Sequence, residues 1–196
     1  MSYIKISIEE LIKWLKANLS EERFEHSIGT AECARDLAEK FSLDSEKAYI
    51  AGLLHDCAKC FSNEKLTEII ETGMSVDPVE KMSPKTLHAP VSSYIARHEF
   101  GVEDEEILSA VRWHTLGKLN MSDFEKVIYL ADKIEYRTRE IEHAEPIRKL
   151  LEEENGLNKA MLQSYKQTII SLVERDLVIC PLTVDIYNSY ECSVNC

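Results

Sequence analysis

Apolar residues along this chain recur at three- and four-residue spacing, and no stretch sustains a two-residue alternation. The pattern predicts helices throughout. Ser7 and Glu10 form a capping box ahead of a face carrying Ile8, Leu11, Ile12 and Leu15. Ser20 opens a second helix that buries Phe24, Ile28, Ala31, Ala34, Leu37, Ala38 and Phe41, with His26 near its start. Asp44 caps a third, with Ala48, Ala51, Leu54 and Ala58 inward, ending around His55–Lys59. Ser62 opens a fourth, which stops at Gly73. Residues 74–90 hold Pro78, Pro84 and Pro90 and read as the one long irregular stretch, with His88 inside it. Pro90 suits the first turn of the next helix, which runs to Gly101. A helix over 104–114 delivers His114 in its last turn, and the chain breaks at Gly117. Ser122 and Glu125 box a helix with Asp132 in its middle. Shorter and longer amphipathic segments come at 145–153 and 157–175, and Pro181 starts a final short helix. The expected fold class is all-α.

Length and charge set the outer limits. With 196 residues, 44% of them hydrophobic, the chain suits one domain over 1–190, with 191–196 as a flexible tail. No run of 18 apolar residues predicts a membrane span, and the N-terminus lacks a secretory pattern, so a cytoplasmic location is expected. A net charge of −12 argues against a nucleic-acid partner, which needs a basic face. It leaves room for a small anionic substrate, because metal ions and a few local cations can reverse the sign inside a cleft. Cys57-x-x-Cys60 and Cys192-x3-Cys196 have the spacing of zinc or redox pairs. Helix precedes the first pair where a redox motif needs a strand, so free thiols are the expectation.

The chemistry lies in the histidines and aspartates. In chain order they are His26, His55-Asp56, His88, His114 and Asp132. Six histidines and nine aspartates would produce about 0.3 adjacent His-Asp pairs by chance, so the pair alone is weak and the joint pattern carries the argument. A carboxylate can bridge two metals while imidazoles cap them, and six such ligands are about what two ions need with positions left open. Asp132 lies in VIYLADKIE among apolar residues, with Glu135 three residues on as a neighbour on the same face. Cations stand nearby in sequence. Lys59 comes four residues after His55 and Arg23 three residues before His26. Thr115, Gly117 and Lys118 come after His114 in a turn that could offer N–H groups and a charge to phosphate. Each also has a plain structural reading: helix-dipole lysine, surface arginine, ordinary loop.

The order His … His-Asp … Asp resembles the HD superfamily of metal-dependent phosphohydrolases. The fuller words RFEHS, GLLHDCAK, LHAPVSSYIA, WHTLGKLNMS and VIYLADKIE, with the closing TIISLVERDLVICPLTVDIYN, resemble the YqeK family of symmetrical bis(5'-nucleosyl)-tetraphosphatases over residues 5 to 188. The resemblance implies a single HD-domain helical bundle around an internal dinuclear site. It implies His26, His55, Asp56, His88, His114 and Asp132 as metal ligands. Asp56 and Lys59 would be the catalytic residues. Arg23, Lys59, Thr115, Gly117, Lys118 and either Arg137 or Arg139 would contact phosphate or nucleotide. The family motif places Pro where Tyr136 stands, and the register is one residue longer here, which leaves the two arginines as alternatives. The implied cofactors are two divalent transition-metal ions, iron favoured, with Mn, Co, Ni or Zn also suited to imidazole and carboxylate donors. The implied reaction is hydrolysis of diadenosine tetraphosphate and related dinucleoside polyphosphates into two nucleoside diphosphates, and the expected assemblies include a homodimer. The rival readings are another HD phosphohydrolase acting on nucleoside monophosphates or cyclic nucleotides, a di-iron oxygenase, and a non-catalytic metal- or nucleotide-binding module.

Overall fold

A computed structural model describes residues 3–82 and 84–195. Among them are ten α-helices and two short 3-10 turns, with no strand, as the periodicity predicts. The helices are α1 Ile8–Asn18, α2 Glu21–Lys40, α3 Ser45–Leu54, α4 Asn63–Gly73, α5 His88–His98, α6 Glu105–Trp113, α7 Asp123–Ile134, α8 Ile141–Leu150, α9 Gly156–Glu174 and α10 Pro181–Asn195. The capping residues act as their sequence positions demand. The side chains of Ser7, Ser20, Asp44, Ser62, Asp104 and Ser122 each accept a backbone N–H in the first turn, and Ser7–Glu10 and Ser122–Glu125 are complete capping boxes.

Three boundaries differ from the sequence expectation. Helix α5 begins at His88, not beside Pro90, so this histidine is a helix residue and not part of the irregular stretch. Proline needs no N–H partner in a first turn, so Pro90 fits there as the third helical residue. Helix α8 begins at Ile141 and carries Pro146 inside it, giving up one bond to the Glu142 carbonyl. Residues 191–195, expected within a flexible tail, form the last turn of α10; Cys196 lies outside the described residues.

Helix α2 packs most extensively on α3 and then on α7, while α5 lies on α6 and α6 on α7. These five helices surround the histidine–aspartate cluster, and α8–α10 cover one end. The α2–α3 contact is set by small residues. Ala31, Ala34, Ala38, Ala48 and Ala51 are fully buried. A Cβ on Gly52 would stand 2.5 Å from the Ala31 Cα, so only glycine permits this backbone approach. Among the described residues no helix is long and apolar enough to cross a membrane.

Candidate metal centre

The close α2–α3 crossing brings His26, in the second turn of α2, against His55, which caps the C-terminus of α3. Their Nε2 atoms are 3.3 Å apart. His88, the first residue of α5, and His114, the C-cap of α6, form a second pair with Nε2 atoms 3.2 Å apart. Asp56 lies between the pairs. Its Oδ1 is 3.0 Å from His88 Nε2 and 3.3 Å from His114 Nε2, and its Oδ2 is 3.8 Å from His55 Nε2. Asp132, from the interior of α7, places Oδ1 2.9 Å from His26 Nε2 and 3.8 Å from His55 Nε2. All six side chains are buried. The structure therefore brings together every histidine and aspartate singled out in the sequence.

The other ring nitrogens explain why the cluster points inward. His55 Nδ1 lies 2.6 Å from the Gly52 carbonyl, His88 Nδ1 2.9 Å from that of Lys85, and His114 Nδ1 2.7 Å from that of Val111. A carbonyl only accepts, so each Nδ1 carries the proton and each Nε2 offers a lone pair to the centre. His26 Nδ1 instead donates to Glu135 Oε1 at 3.1 Å. Glu135 is fully buried and also accepts from the Arg137 and Thr138 backbone N–H groups and the Thr138 hydroxyl. Burial would raise its carboxyl, but these hydrogen bonds hold it down at about 2, so it is ionised. A carboxylate behind a ring nitrogen is the usual support for a metal-ligating imidazole.

Buried lone pairs and carboxylates at these spacings repel each other unless a cation lies among them. Burial depresses His55 to about 3 and also lowers His88, so both rings are neutral. Burial would raise the Asp56 carboxyl, yet the imidazoles around it hold it well below the usual range. Its Oδ1 has no hydrogen-bond donor and is shut off from solvent. Two geometric groupings could hold an ion: His26, His55 and Asp56; and Asp56, His88 and His114. In each, the donor atoms lie within 4.8 Å of one another. Asp56 belongs to both, as a bridging carboxylate would. The donor set is consistent with binding of divalent metal ions. For His26, burial works downward, but the Asp132 and Glu135 carboxylates outweigh it and raise the pKa. Protons and metal therefore compete for this ring.

Cations gather at the rim. Lys59 Nζ is 3.0 Å from His88 Nε2 and 3.7 Å from Asp56 Oδ1, and Arg23 Nη1 is 3.6 Å from Asp56 Oδ2. Burial depresses the Lys59 pKa. Arg139 Nη2 donates to Asp132 Oδ1 at 2.6 Å and lies 3.1 Å from His26 Nε2. Lys133 Nζ holds Asp132 Oδ2 at 2.7 Å.

A model of the HD domain matches residues 23–137, from beside the first histidine to just past the last aspartate. The chain belongs to the HD-domain family. Within that family it groups with the YqeK-like proteins. The symmetrical bis(5'-nucleosyl)-tetraphosphatase of Bacillus subtilis (strain 168) is 39% identical over 180 residues, 92% of this chain and 95% of that one. The protein of the same description from Staphylococcus aureus (strain NCTC 8325 / PS 47) is 34% identical over 188 residues, 96% of each chain. A crystal structure from Clostridium acetobutylicum, described as a predicted HD superfamily hydrolase involved in NAD metabolism, superposes with a TM-score of 0.88 at 35% identity. It covers 96% of this chain and 98% of that one.

The remaining sequence candidates separate by position around this HD-domain centre. Of the two arginines left open, Arg139 reaches the centre, whereas Arg137 is exposed and paired with Glu25 and Glu32. Thr115 is half-buried directly after His114. Gly117 has φ +71°, and a Cβ there would run into the Tyr165 hydroxyl, so its glycine is required by packing. Lys118 binds Glu125 and Ser109, away from the histidines. Sequence reasoning missed Lys133 and Thr138. Lys133 had a signal, since it adjoins Asp132 in VIYLADKIE, but a lysine in mid-helix usually faces solvent. The Cys57 thiol is buried and pushed up to about 12 by that burial, a poor nucleophile.

Proposed function

We propose that this chain hydrolyses dinucleoside tetraphosphates symmetrically, diadenosine tetraphosphate giving two ADP. The observation that carries the reading is the convergence of four imidazoles on a shared buried carboxylate, Asp56, whose Oδ1 has no hydrogen-bond donor. His26, His55, Asp56 and Asp132 would hold one divalent ion, and Asp56, His88 and His114 a second. Iron is the proposed native metal. Bound there, two such ions would supply Lewis acidity and a water of lowered pKa.

The protein's own groups do the remaining work. Asp56 keeps both halves of the centre at fixed separation. Lys59 and Arg23 on one side, and Lys133 and Arg139 on the other, present charge to phosphoryl oxygens whose negative charge grows as an inner P–O bond breaks. The leaving group is a nucleoside diphosphate, weakly basic, so no strong general acid is required. The similarity along nearly the whole length of the relatives supports the substrate class. A nucleotide substrate and free thiols at Cys33, Cys57 and Cys60 fit a cytoplasmic setting.

The test is product analysis in oxygen-18 water after metal reconstitution. The expected result is ADP alone, with one label incorporated per tetraphosphate cleaved. ATP plus AMP would mean cleavage of an outer P–O–P bridge and would overturn the symmetrical reading. Oxygen uptake without nucleotide cleavage would turn it to oxygenase chemistry.

A further inference from the structure

Beside the centre, on the Asp132 side, a groove of about 560 Å³ runs between α8 and α9. That volume lies within the range of small-molecule sites, about 300–1,000 Å³. The groove borders the centre: Lys133 and Arg139, which line it, hold the Asp132 carboxylate with their charged ends. Away from that end the lining changes character. Ile147 and Leu172 supply apolar surface, while Ser171 and Gln167 supply uncharged polar groups. At the far end stands Arg175, exposed at the C-terminus of α9, whose guanidinium has no partner among the described residues. Glu140 and His143, paired with each other, also line it, so Arg175 is the cation of the lining that no carboxylate engages among the described residues.

We propose that this groove seats one nucleoside half of the substrate. The inference rests on the dinucleoside polyphosphate reading given above and adds where the substrate lies. Cleavage at the centre of a symmetrical molecule requires a nucleoside on each side of the metals. Lys133 and Arg139 meet the phosphates where these leave the centre. Beyond them, apolar surface edged by hydroxyl and amide groups suits a flat base and a ribose better than further phosphate. Arg175 closes the far end with a planar cation that can stack on the base or donate to its ring nitrogens. The other half of the substrate leaves past Arg23 and Lys59, which stand beside the Asp56 carboxylate and do not line the groove.

Photolabelling with 8-azido-ADP, followed by peptide mapping, reads the position directly. Label is expected on peptides from residues 141–175, suppressed by excess ADP. Two exposed-residue variants test the groove independently. Ser171→Trp fills it and Arg175→Glu reverses its far charge. Each should cut labelling at least tenfold and raise KM for diadenosine tetraphosphate at least tenfold, with metal content and helical circular dichroism at wild-type values. Label confined to other peptides, no label, or unchanged KM in both variants would overturn the proposal. Wild-type protein that is labelled in the groove yet does not cleave the tetraphosphate would sink the activity reading and leave the nucleoside site standing.

Discussion

Asp56 is the residue on which both halves of the centre depend, because its two oxygens face different histidines. Asp56→Ala should reduce bound metal from two ions per chain and lower kcat by more than about a hundredfold, a larger loss than removing an outer supporting group causes. Helical circular dichroism should persist, since the core around Leu53, Leu54 and Ala58 is apolar. Elemental analysis and turnover on one preparation check it; an active, fully metallated Asp56→Ala protein would falsify the ligand assignment. Lys59 makes a separate case. It touches His88 and Asp56 but belongs to neither grouping of candidate metal donors, so Lys59→Ala should retain metal and lose catalytic efficiency. A charge-assisted hydrogen bond of about 1.5–3 kcal/mol corresponds to roughly a ten- to hundredfold fall in kcat/KM. Unchanged kinetics with a lower Tm would leave it only the task of stabilising the end of its helix. His55 adds a pH dependence. Its folded pKa is about 3 because burial penalises the charged ring, whereas an unfolded histidine titrates near 6.5. Between those values the unfolded chain binds a proton that the folded chain does not. The contribution of His55 to stability is therefore complete above pH 6.5 and drains as pH falls toward 3. Between pH 7 and 5 the loss is about 2 kcal/mol. His26, raised by its carboxylates, works with the opposite sign, so the comparison must be internal. In metal-free protein, His55→Gln should show about 2 kcal/mol less loss of denaturant stability between pH 7 and 5 than wild type. An identical slope in both proteins would mean that the His55 ring is protonated in the fold.

At the scale of elements, the centre depends on how closely helices approach and on what clamps the loop before α5. Gly52→Ala puts a methyl group against the Ala31 backbone, so α2 and α3 must separate. Overpacking of this kind costs about 1–3 kcal/mol, and the shift moves His26 away from His55. Chemical denaturation and metal titration should both register it. The second device is an ion pair. Glu80, nearly fully buried, takes Arg112 through two bonds of 3.0 and 2.6 Å, and Arg112 also reaches the Ser75 carbonyl. The pair ties the segment around Ser75 and Glu80 to the last turn of α6, two residues before His114. The Lys85 carbonyl in that segment holds His88 Nδ1. Arg112→Ala should therefore weaken the His88–His114 half of the centre, with metal affinity there falling by about 10–100-fold, while the His26–His55 half keeps its ion. Competitive metal titration resolves the two halves; equal weakening of both would mean that the pair does not act through His88.

Across the whole molecule, the sequence held the six histidines and aspartates that cluster and the helical class, the latter because helix periodicity and capping are local properties. Ser122–Glu125, for example, predicts its helix and also forms the capping box in the structure. Side-chain direction in irregular segments is not local. Arg137 and Arg139 could not be told apart from sequence, since which one reaches His26 depends on the turn that Glu135 builds by accepting the Arg137 and Thr138 N–H groups. Lys118 is drawn off by Glu125, sixteen residues from the Ser109 that shares the same carboxylate, a tertiary arrangement that spacing does not encode. Stability likewise depends on groups that only the fold brings together. The six proposed ligands come from α2, α5 and α7 and from the ends of α3 and α6, and without a cation their lone pairs and carboxylates face one another in a buried space. Binding should therefore stabilise the whole bundle and not one segment of it. An ion present at a hundred times its Kd adds about 2.7 kcal/mol. For a chain of this length that corresponds to a Tm rise of roughly 5–10 °C. Stripping the protein with chelator should lower Tm by at least that amount, and adding back iron or manganese should restore it. Asp56→Ala should start at a lower holo Tm and respond little to chelator. A wild-type Tm indifferent to chelator, in protein shown to contain metal beforehand, would mean that the ions sit outside this buried cluster.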